Sequence, residues 1–392
     1  MRAIEWHAGT IRIIDQTLLP EREEIVTITT TAELADAIRQ LRVRGAPALG
    51  IAGGMGVAMA AYRSRQASSK GVLRDAERAG KELVATRPTA ANLAWGIERV
   101  LAFGRAHLAD AGKEKLAILM EEEAQRIAQE DAEACLAMAR NAQRFIPRKA
   151  VVLTHCNTGF LCTGGYGTAL GAVRLAHEEN KEIAVLATET RPLLQGARLT
   201  AWELGRLGIP HALITDGAAA GLIARGEVKV VVVGADRIAA NGDVANKVGT
   251  YGLALAAKEA GVAFVVVAPT STVDVSVASG AKIPIEERSA SEVTAILGRR
   301  VAPSGTYAVN PAFDVTPAKL ISAIVTENGV ATAPFAPALA RMVNAPTLGL
   351  EDAASARRRS PGPAPRRAAS PRRRKTATKT AARKAAKPKR RS

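Results

Sequence analysis

The chain has 392 residues, of which 47% are hydrophobic and only 3% aromatic, and its formal net charge is +17. This length allows two domains that each bury a core. The chain has three cysteines, a small and odd number that does not fit a secreted protein stabilised by disulfides. No apolar run approaches the ~20 residues that span a bilayer, and the N-terminus lacks the apolar segment of a signal peptide. We therefore expect a cytoplasmic protein that makes no membrane contact.

The first part of the chain is predicted to be mainly helical. Residues 4–14 alternate apolar and polar positions around Ala8-Gly9-Thr10, which indicates a β-hairpin. Helical spacing then runs from Thr31 to about residue 145 and is clearest at 32–38 and 121–142. We predict a small, mainly helical N-terminal domain over residues 1–147, with an initial β-hairpin.

From residue 148 the pattern changes to short apolar runs that alternate with helical stretches. The runs lie at 150–154, 183–187, 212–215, 228–233 and 262–267. Continuous apolar runs are typical of strands covered on both faces, and strand–helix alternation favours a parallel sheet with right-handed crossovers. We therefore predict an α/β protein whose residues 148–348 form a Rossmann-like, parallel-sheet catalytic domain.

The basic charge is concentrated after this domain. Residues 351–392 contain 16 Lys and Arg against two acids, a net charge of +14, so the preceding 350 residues carry only +3. The segment has no aromatic residue and is rich in Ala, Pro and Ser, so it cannot bury enough apolar surface to offset the entropy of ordering. We predict a disordered, basic C-terminal tail over residues 349–392.

Ligands of open parallel sheets bind beyond the carboxyl ends of the strands, and polar residues collect there in this sequence. Cys156 follows the first strand and could be a reactive thiolate if nearby cations lower its pKa, or simply a small buried hydrophobe. His155 and Cys162 lie close by in sequence, but no fourth ligand stands at a familiar spacing, so we expect no metal site.

Asp236 follows the apolar run 230–233. Burial would raise the pKa of its carboxyl and suit it to general acid catalysis, although an ion pair with Arg237 or a helix cap is the commoner role of such a residue. The polar stretch 239–251 is interpreted as a long loop suited to holding hydroxyls and a phosphate.

Two features could bind phosphate. The Gly-rich segment 156–168 precedes a predicted helix, so it either offers backbone N–H groups to an anion or is a turn that needs glycine for its dihedral angles. Arg44 and Arg87 stand beside tight turns, and arginine matches phosphate oxygens in bidentate fashion. The glycines of 50–56 follow no strand, so close helix packing explains them better than nucleotide binding.

Specific segments carry a resemblance to a known family. They are RGAPALG at 44–50, RPTAANLAWG at 87–96, THCNTG at 154–159, GGYGTALGAVR at 164–174, ETRPLLQGARLTAWEL at 189–204, ITDGAAAGLI at 214–223, GADRIAANGDVANKVGTY at 234–251, IPIEER at 283–288 and NPAFDVTP at 310–317. With these motifs the chain resembles the methylthioribose-1-phosphate isomerase family, which is related to the regulatory subunits of eukaryotic translation initiation factor 2B. Val244 stands where Thr is expected, and Phe160 and Cys162 where a small residue is usual.

The resemblance implies an aldose–ketose isomerase that converts 5-methylthioribose 1-phosphate to 5-methylthioribulose 1-phosphate in methionine salvage, without a cofactor and as a homodimer. It implies Asp236 as the proton donor and Cys156 as its partner at the reacting carbons. It also implies a set of substrate-binding residues, namely Arg44, Gly45, Ala46, Arg87, Gln195, Asn246 and Lys247.

Other functions stay open at this point. A related isomerase could act on 5-deoxyribose 1-phosphate or ribose 1,5-bisphosphate, and a non-catalytic regulatory subunit would be expected to lack the Cys156 and Asp236 pair. Residues 351–392 could bind nucleic acid or another polyanion without sequence preference, or could be a solvated extension with no partner.

Overall fold

The computed structural model describes residues 2–345, and Met1–Ala345 cluster as one compact unit. The predicted tail over 349–392 lies outside the described residues. No helix within residues 2–345 is both long enough and apolar enough to cross a membrane.

A small antiparallel sheet opens the chain. Its strands are β1 (Ile4–His7), β2 (Thr10–Ile14) and β3 (Ile25–Ile28). β1 and β2 form the predicted hairpin, with Trp6 opposite Ile11, and β3 extends it on the other side of β2. The sequence pattern did not indicate β3, because most of its residues are exposed or half-buried and carry no clear alternation.

Five helices follow this sheet. They are α1 (Thr31–Arg39), α2 (Ala46–Tyr62), α3 (Ser69–Val84), α4 (Ala91–Ala106) and α5 (Lys113–Ala142). Thr30 and Glu33 form a capping box at the start of α1. α2 is apolar on all sides and sits in the centre of this region. A Cβ atom at Gly96 of α4 would overlap the carbonyl of Gly50, which confirms that glycine here serves close helix packing.

The second region is built on a seven-stranded sheet. Its strands are β4 (Val151–Thr154), β5 (Ala184–Thr188), β6 (His211–Ile214), β7 (Val230–Val233), β10 (Ala263–Val267), β15 (Ala323–Thr326) and β16 (Gly329–Ala331). Their order is β16-β15-β10-β7-β4-β5-β6, and every neighbouring pair is parallel except β15 and β16. The predicted α/β class with a parallel-rich sheet is confirmed.

Helices cover both faces of this sheet. They are α6 (Ala169–Glu178), α7 (Ala201–Arg206, preceded by a π-helical turn at Gly196–Thr200), α8 (Ala219–Ala224), α9 (Thr250–Glu259) and α11 (Phe335–Val343). The four-residue helix α10 (Ser291–Thr294) lies beside a short hairpin instead. Successive strand residues feed opposite cores, so Val232 packs in one cluster and Val233 in the other.

Smaller strands complete the described chain. They are β8 (Arg237–Ala239), β9 (Val244–Lys247), β11 (Val273–Asp274) and β14 (Phe313–Thr316) in one sheet, and β12 (Ala295–Ile296) and β13 (Arg299–Arg300) in a short hairpin. The polar stretch 239–251 is therefore not the predicted long loop. It is a β8–β9 hairpin that runs on into α9.

α5 joins the two regions. Its first part packs in the helical core, and its last turns, from Cys135 to Ala142, pack in a core of the seven-stranded sheet. Because one helix belongs to both cores, the boundary at 147/148 stays a prediction.

Candidate active site

The site lies where the chain order of the large sheet reverses. From β4 the chain first builds β5 and β6 on one side and then returns to place β7 and β10 on the other. Because β4 and β7 are adjacent and parallel, the residues that follow them emerge at the same edge of the sheet. Cys156 follows β4 and Asp236 follows β7, so the fold brings the two together at the position where open parallel sheets bind ligands.

A cleft with a volume of about 130 Å³ lies at this edge and is partly open to solvent. Eight of the nine predicted site residues line it, and they are Arg44, Gly45, Ala46, Arg87, Cys156, Gln195, Asp236 and Lys247. Residues of the helical region thus form one wall, and strand ends of the sheet region form the other. The cleft also has apolar walls, to which Leu49, Leu193 and Phe313 contribute.

Cys156 is held in an unusual backbone conformation. Its φ angle of 63° lies in the left-handed region, which is costly for a residue with a side chain. Two threonines fix it there: the Cys156 N–H donates to Thr190 Oγ1 at 2.9 Å, and Thr200 Oγ1 donates to its carbonyl at 2.6 Å. Burial raises the pKa of the Cys156 thiol although Arg44 and Lys247 oppose this. This direction favours the neutral thiol in the free protein, and the role of Cys156 stays a prediction.

A directed chain of hydrogen bonds runs behind Cys156. Burial lowers the pKa of His155, so its ring is neutral, and its Nε2–H must donate to the carbonyl of Val248 at 2.9 Å. His155 Nδ1 then accepts from Thr188 Oγ1 at 2.6 Å, and Thr188 Oγ1 lies 3.0 Å from Thr190 Oγ1. The chain thereby ties the backbone of Cys156 to the turn that follows β9.

Asp236 lies in the same wall as Cys156, at the end of the neighbouring strand β7. Its N–H donates to the carbonyl of Ala245 at 2.9 Å, which fixes the backbone between β7 and β8. Burial raises the pKa of the Asp236 carboxyl, while Lys247, Arg87 and Arg44 act in the other direction. The neutral, proton-donating form is thus available at higher pH than for an exposed aspartate.

Three of the five cationic residues that line the cleft were predicted: Arg44, Arg87 and Lys247. Arg44 donates to the side-chain oxygen of Asn157, and Arg87 pairs with Glu286 at 3.0 Å. The Nε atoms of both arginines are buried without a hydrogen-bond partner among the described residues. Burial lowers the pKa of Lys247, although Cys156 and Asp236 oppose this. Unpartnered donors beside a cleft suit an anionic ligand.

The first turn of α2 opens on the same cleft. Gly45 is its N-cap, with a φ angle of 94°, and no side chain caps the helix there. A Cβ atom at this position would overlap Cys162, so both the dihedral angle and the packing demand glycine. The helix N-terminus adds partial positive charge beside Arg44.

One predicted residue and one predicted loop lie elsewhere. Asn246 does not line the cleft, and its side-chain amide donates to Thr250 Oγ1 at 3.0 Å. Beyond Cys156, the Gly-rich segment 156–168 contributes no residue to the lining. Its glycines allow close approach, since a Cβ at Gly159 would overlap the Glu203 carboxylate and one at Gly164 would lie 2.6 Å from the Ala128 carbonyl. Only Gly167, with a φ angle of 97°, needs glycine for its dihedral angle, and anion binding by this segment stays a prediction.

Three charged residues of the lining, Arg237, Glu286 and Arg288, were not predicted as site residues. Glu286 and Arg288 lie in the segment IPIEER, and Arg288 donates both to Glu286 at 3.0 Å and to Glu292 at 2.6 Å. Glu286 and Arg288 line the cleft, and Glu287 between them does not. Such alternation is typical of extended backbone, so the charged residues of this segment could have been assigned to the site from the sequence.

Comparison with known proteins agrees with this geometry. The model of the initiation factor 2 subunit family matches residues 42–333. The methylthioribose-1-phosphate isomerase of Pelotomaculum thermopropionicum is 53% identical over 328 residues, which are 83% of this chain and 90% of the relative. The chain belongs to this isomerase family. Its relation to the initiation factor 2 subunits agrees with the resemblance seen in the motifs.

Solved structures of this isomerase family and its relatives share the fold. The 5-methylthioribose 1-phosphate isomerase from Pyrococcus horikoshii OT3 superposes with a TM-score of 0.83 at 42% identity, covering 87% of this chain and 95% of that one. The translation initiation factor eIF-2B, subunit delta, from A. fulgidus superposes with a TM-score of 0.80 at 41% identity, covering 88% and 100%.

Proposed function

We propose that this chain is an aldose–ketose isomerase that converts 5-methylthioribose 1-phosphate to 5-methylthioribulose 1-phosphate in methionine salvage. The observation that carries the proposal is the presence of Cys156 and Asp236 in one cleft, in a chain about half identical to isomerases of that name. The proposal needs no cofactor, because all the chemistry is proton and hydrogen transfer within the sugar.

The substrate sets a specific problem for the acid. Its anomeric oxygen carries phosphate, so the ring cannot open freely to an aldehyde, and opening needs protonation of the ring oxygen. Asp236 supplies this proton and the bond from C1 to the ring oxygen breaks. Hydrogen moves from C2 to C1, the C2 hydroxyl loses a proton that restores the acid form of Asp236, and a ketose forms at C2. The raised pKa of Asp236 supports this role, and the neutral Cys156 thiol is placed to donate a hydrogen bond at the reacting carbons.

The phosphate of the substrate binds to the cationic side chains of the cleft. Arg44, Arg87 and Lys247 supply positive charge, and the backbone N–H groups at the start of α2, beside Gly45 and Ala46, add donors. Gln195 lines the cleft with an unpartnered, buried side-chain oxygen, which suits a sugar hydroxyl as its hydrogen-bond donor. Asn246 remains in the proposal only as a residue that supports the strand bearing Lys247.

The lining favours a methylthio group over a second phosphate at C5. Leu49, Leu193 and Phe313 offer apolar surface for a thioether. Two further arginines line the cleft: Arg237 pairs with Asp274 at 3.6 Å, and Arg288 pairs with both Glu286 and Glu292. Unlike Arg44 and Arg87, neither has a buried nitrogen without a hydrogen-bond partner among the described residues. Ribose 1,5-bisphosphate is therefore the poorer fit, whereas 5-deoxyribose 1-phosphate differs only by lacking the thioether.

A regulatory role like that of the initiation factor subunits is the second candidate, favoured by the likeness to the A. fulgidus protein. The cleft argues against it, because a protein that only regulates has no need for a buried acid and thiol facing two arginines.

The remaining expectations belong to the same proposal. The protein acts in the cytoplasm as a homodimer, with a helical domain that begins at residue 1 and ends at residue 147, followed by a Rossmann-like domain. Residues 351–392 carry a net charge of +14 and bind nucleic acid or another polyanion. Truncation after Leu350 should abolish retention on DNA and RNA at low salt, and unchanged retention would disprove this tail function.

The experiment is a comparison of three sugars. Ketose formation is measured with 5-methylthioribose 1-phosphate, 5-deoxyribose 1-phosphate and ribose 1,5-bisphosphate. The proposal predicts the highest kcat/KM with the methylthio sugar. Preference for another sugar would keep the chemistry and change the pathway, and no turnover of any sugar by the folded protein would favour the regulatory candidate.

A further inference from the structure

A buried carboxylate lies directly behind the cleft without lining it. Glu203, on α7, is only 1% exposed. Its carboxylate accepts from Asn157 Nδ2 at 2.7 Å through one oxygen and from the N–H of Phe160 at 2.8 Å through the other. The reaction proposed above assigns no role to this group.

Asn157 connects this carboxylate to the cleft. Its side chain is buried, and its Nδ2 atom faces Glu203 as well as Thr200 Oγ1 at 3.3 Å. Its Oδ1 atom therefore points the other way, where it accepts from the guanidinium of Arg44. The orientation of the amide is determined by its neighbours, because a carboxylate can only accept and a guanidinium can only donate.

Arg44 completes the connection. One terminal nitrogen of its guanidinium contacts Asn157, and the rest of the group lines the cleft. An arginine side chain has many rotamers, and holding one of them before the ligand arrives lowers the entropic cost of binding.

We propose that Glu203 is a positioning residue, which orients the Asn157 amide so that the amide oxygen holds the Arg44 guanidinium toward the phosphate of the substrate. The inference rests on the proposed function for the identity of the phosphate-bearing ligand. It adds a residue that touches neither the ligand nor the reacting atoms.

Only a carboxylate satisfies this arrangement. Glutamine at position 203 would have one acceptor oxygen for two donors, so it would place its NH₂ group against either the Phe160 N–H or the Asn157 amide. In the second case Asn157 would turn over and present its own NH₂ group to Arg44, donor against donor. Burial raises the pKa of Glu203 to about 7, so the acceptor-only carboxylate predominates at pH 8.

The test exchanges the carboxylate and the amide group between positions 203 and 157. At pH 8, Glu203→Gln and Asn157→Asp should each raise KM for the phosphosugar at least about tenfold, with a smaller change in kcat, because each leaves a mismatched contact next to Arg44. The double variant should return KM to within about threefold of the wild type. In it, the introduced aspartate could accept from both Arg44 and the introduced glutamine, and the oxygen of that glutamine could still accept from the Phe160 N–H. A general loss of packing would not be repaired by this exchange.

Glu123→Gln is the matched control. Glu123 is 4% exposed and accepts from Arg99 at 2.7 Å and Arg126 at 2.6 Å, on α5 away from the cleft. It should lower the melting temperature and leave KM unchanged.

A second arm does not require turnover. The affinity for inorganic phosphate, measured by calorimetry, should follow the same pattern across the variants. If the wild type does not isomerise the methylthio sugar but phosphate affinity shows the pattern, the positioning role stands and the proposed function fails. If folded Glu203→Gln keeps KM and phosphate affinity within twofold of the wild type, or if the exchange recovers neither, the positioning role is wrong.

Should Glu203→Gln not fold, Asn157→Ala carries the test. It should weaken phosphate binding about tenfold in the wild type and have no further effect in an Arg44→Ala background. An equal effect in both backgrounds would overturn the proposal.

Discussion

Two helices of this protein begin in nearly the same way and end up in different surroundings. α2 follows Gly45, with a φ angle of 94°, and α6 follows Gly167 and Thr168, with a φ angle of 97° at the glycine. The first turn of α2 has no side-chain cap and opens on the cleft beside Arg44. The first turn of α6 is buried.

A single residue, Thr158, accepts two N–H groups at the start of α6. Thr158 accepts from the N–H of Thr168 through its carbonyl at 2.8 Å and from the N–H of Leu170 through its hydroxyl at 3.0 Å. A glycine with a positive φ angle therefore predicts where a helix can begin, and unpartnered donors with neighbouring cations predict where an anion can bind.

The largest expected effect is on kcat, and it should distinguish the cysteine that lines the cleft from a buried cysteine that does not. Cys156→Ala should lower kcat by about 10²- to 10⁴-fold, because it removes the group facing the reacting carbons. Cys162→Ala is the matched control, since Cys162 is buried in the same segment but does not line the cleft. Steady-state kinetics of both variants should show kcat unchanged in the control, and equal losses would contradict the assignment.

Removing a cationic side chain of the cleft should change KM more than kcat. Arg87→Ala should raise KM by about 10- to 100-fold, because it removes a charge-assisted contact to the phosphate. Arg225→Ala serves as the comparison, because Arg225 pairs with Glu227 at the surface, away from the cleft. A KM for Arg87→Ala within twofold of the wild type would remove Arg87 from the site.

The two glycines provide the most direct test of the comparison. Both Gly45→Ala and Gly167→Ala should destabilise the protein by about 1–3 kcal/mol, because alanine is strained at these φ angles. Only Gly45→Ala should also raise KM, since only its helix opens on the cleft. Thermal unfolding and kinetics, measured below the melting temperature of each variant, separate the two effects. A matching rise in KM for Gly167→Ala would contradict the comparison.

The smallest expected effect is a pH dependence near the buried helix. Burial raises the pKa of Asp131 to about 6, against the pull of the Gly164 N–H that donates to it at 2.5 Å. The folded state then binds this proton more tightly than the unfolded state, so this group's contribution to the free energy of unfolding falls as pH rises from about 4 to about 6.

Asp131→Asn removes that contribution. The stability of the wild type relative to this variant should therefore be greater at pH 4.5 than at pH 7, as measured by urea unfolding at both pH values. If the difference in stability did not depend on pH, Asp131 would not be protonated in the folded protein at low pH. We expect the KM of Asp131→Asn to equal that of the wild type.

The sequence was sufficient for the parts of the fold that depend on burial. Strands such as Val230–Val233 are apolar throughout because helices cover both faces of the sheet. Since the strands are parallel, Cys156 and Asp236 could be assigned to one edge without any tertiary information. The role that each plays in the reaction stays a prediction.

The errors have identifiable physical origins. Asn246 was grouped with Lys247, but neighbouring residues of a strand face opposite sides, and it is Ala245 and Lys247 that line the cleft. Asn241-Gly242 is a hairpin signal in a stretch that was interpreted as a loop. The contact between Glu203 and Asn157 joins residues 46 positions apart, and no local pattern predicts such a pairing.

The central claim is that Asp236 opens the sugar ring by donating a proton. The most direct test is the turnover of 5-methylthioribose 1-phosphate by Asp236→Asn, with substrate binding measured in parallel by calorimetry. We predict that ketose formation falls by at least about 10²-fold while the Kd of the substrate changes little. A folded variant that keeps most of its kcat would show that another group supplies the proton.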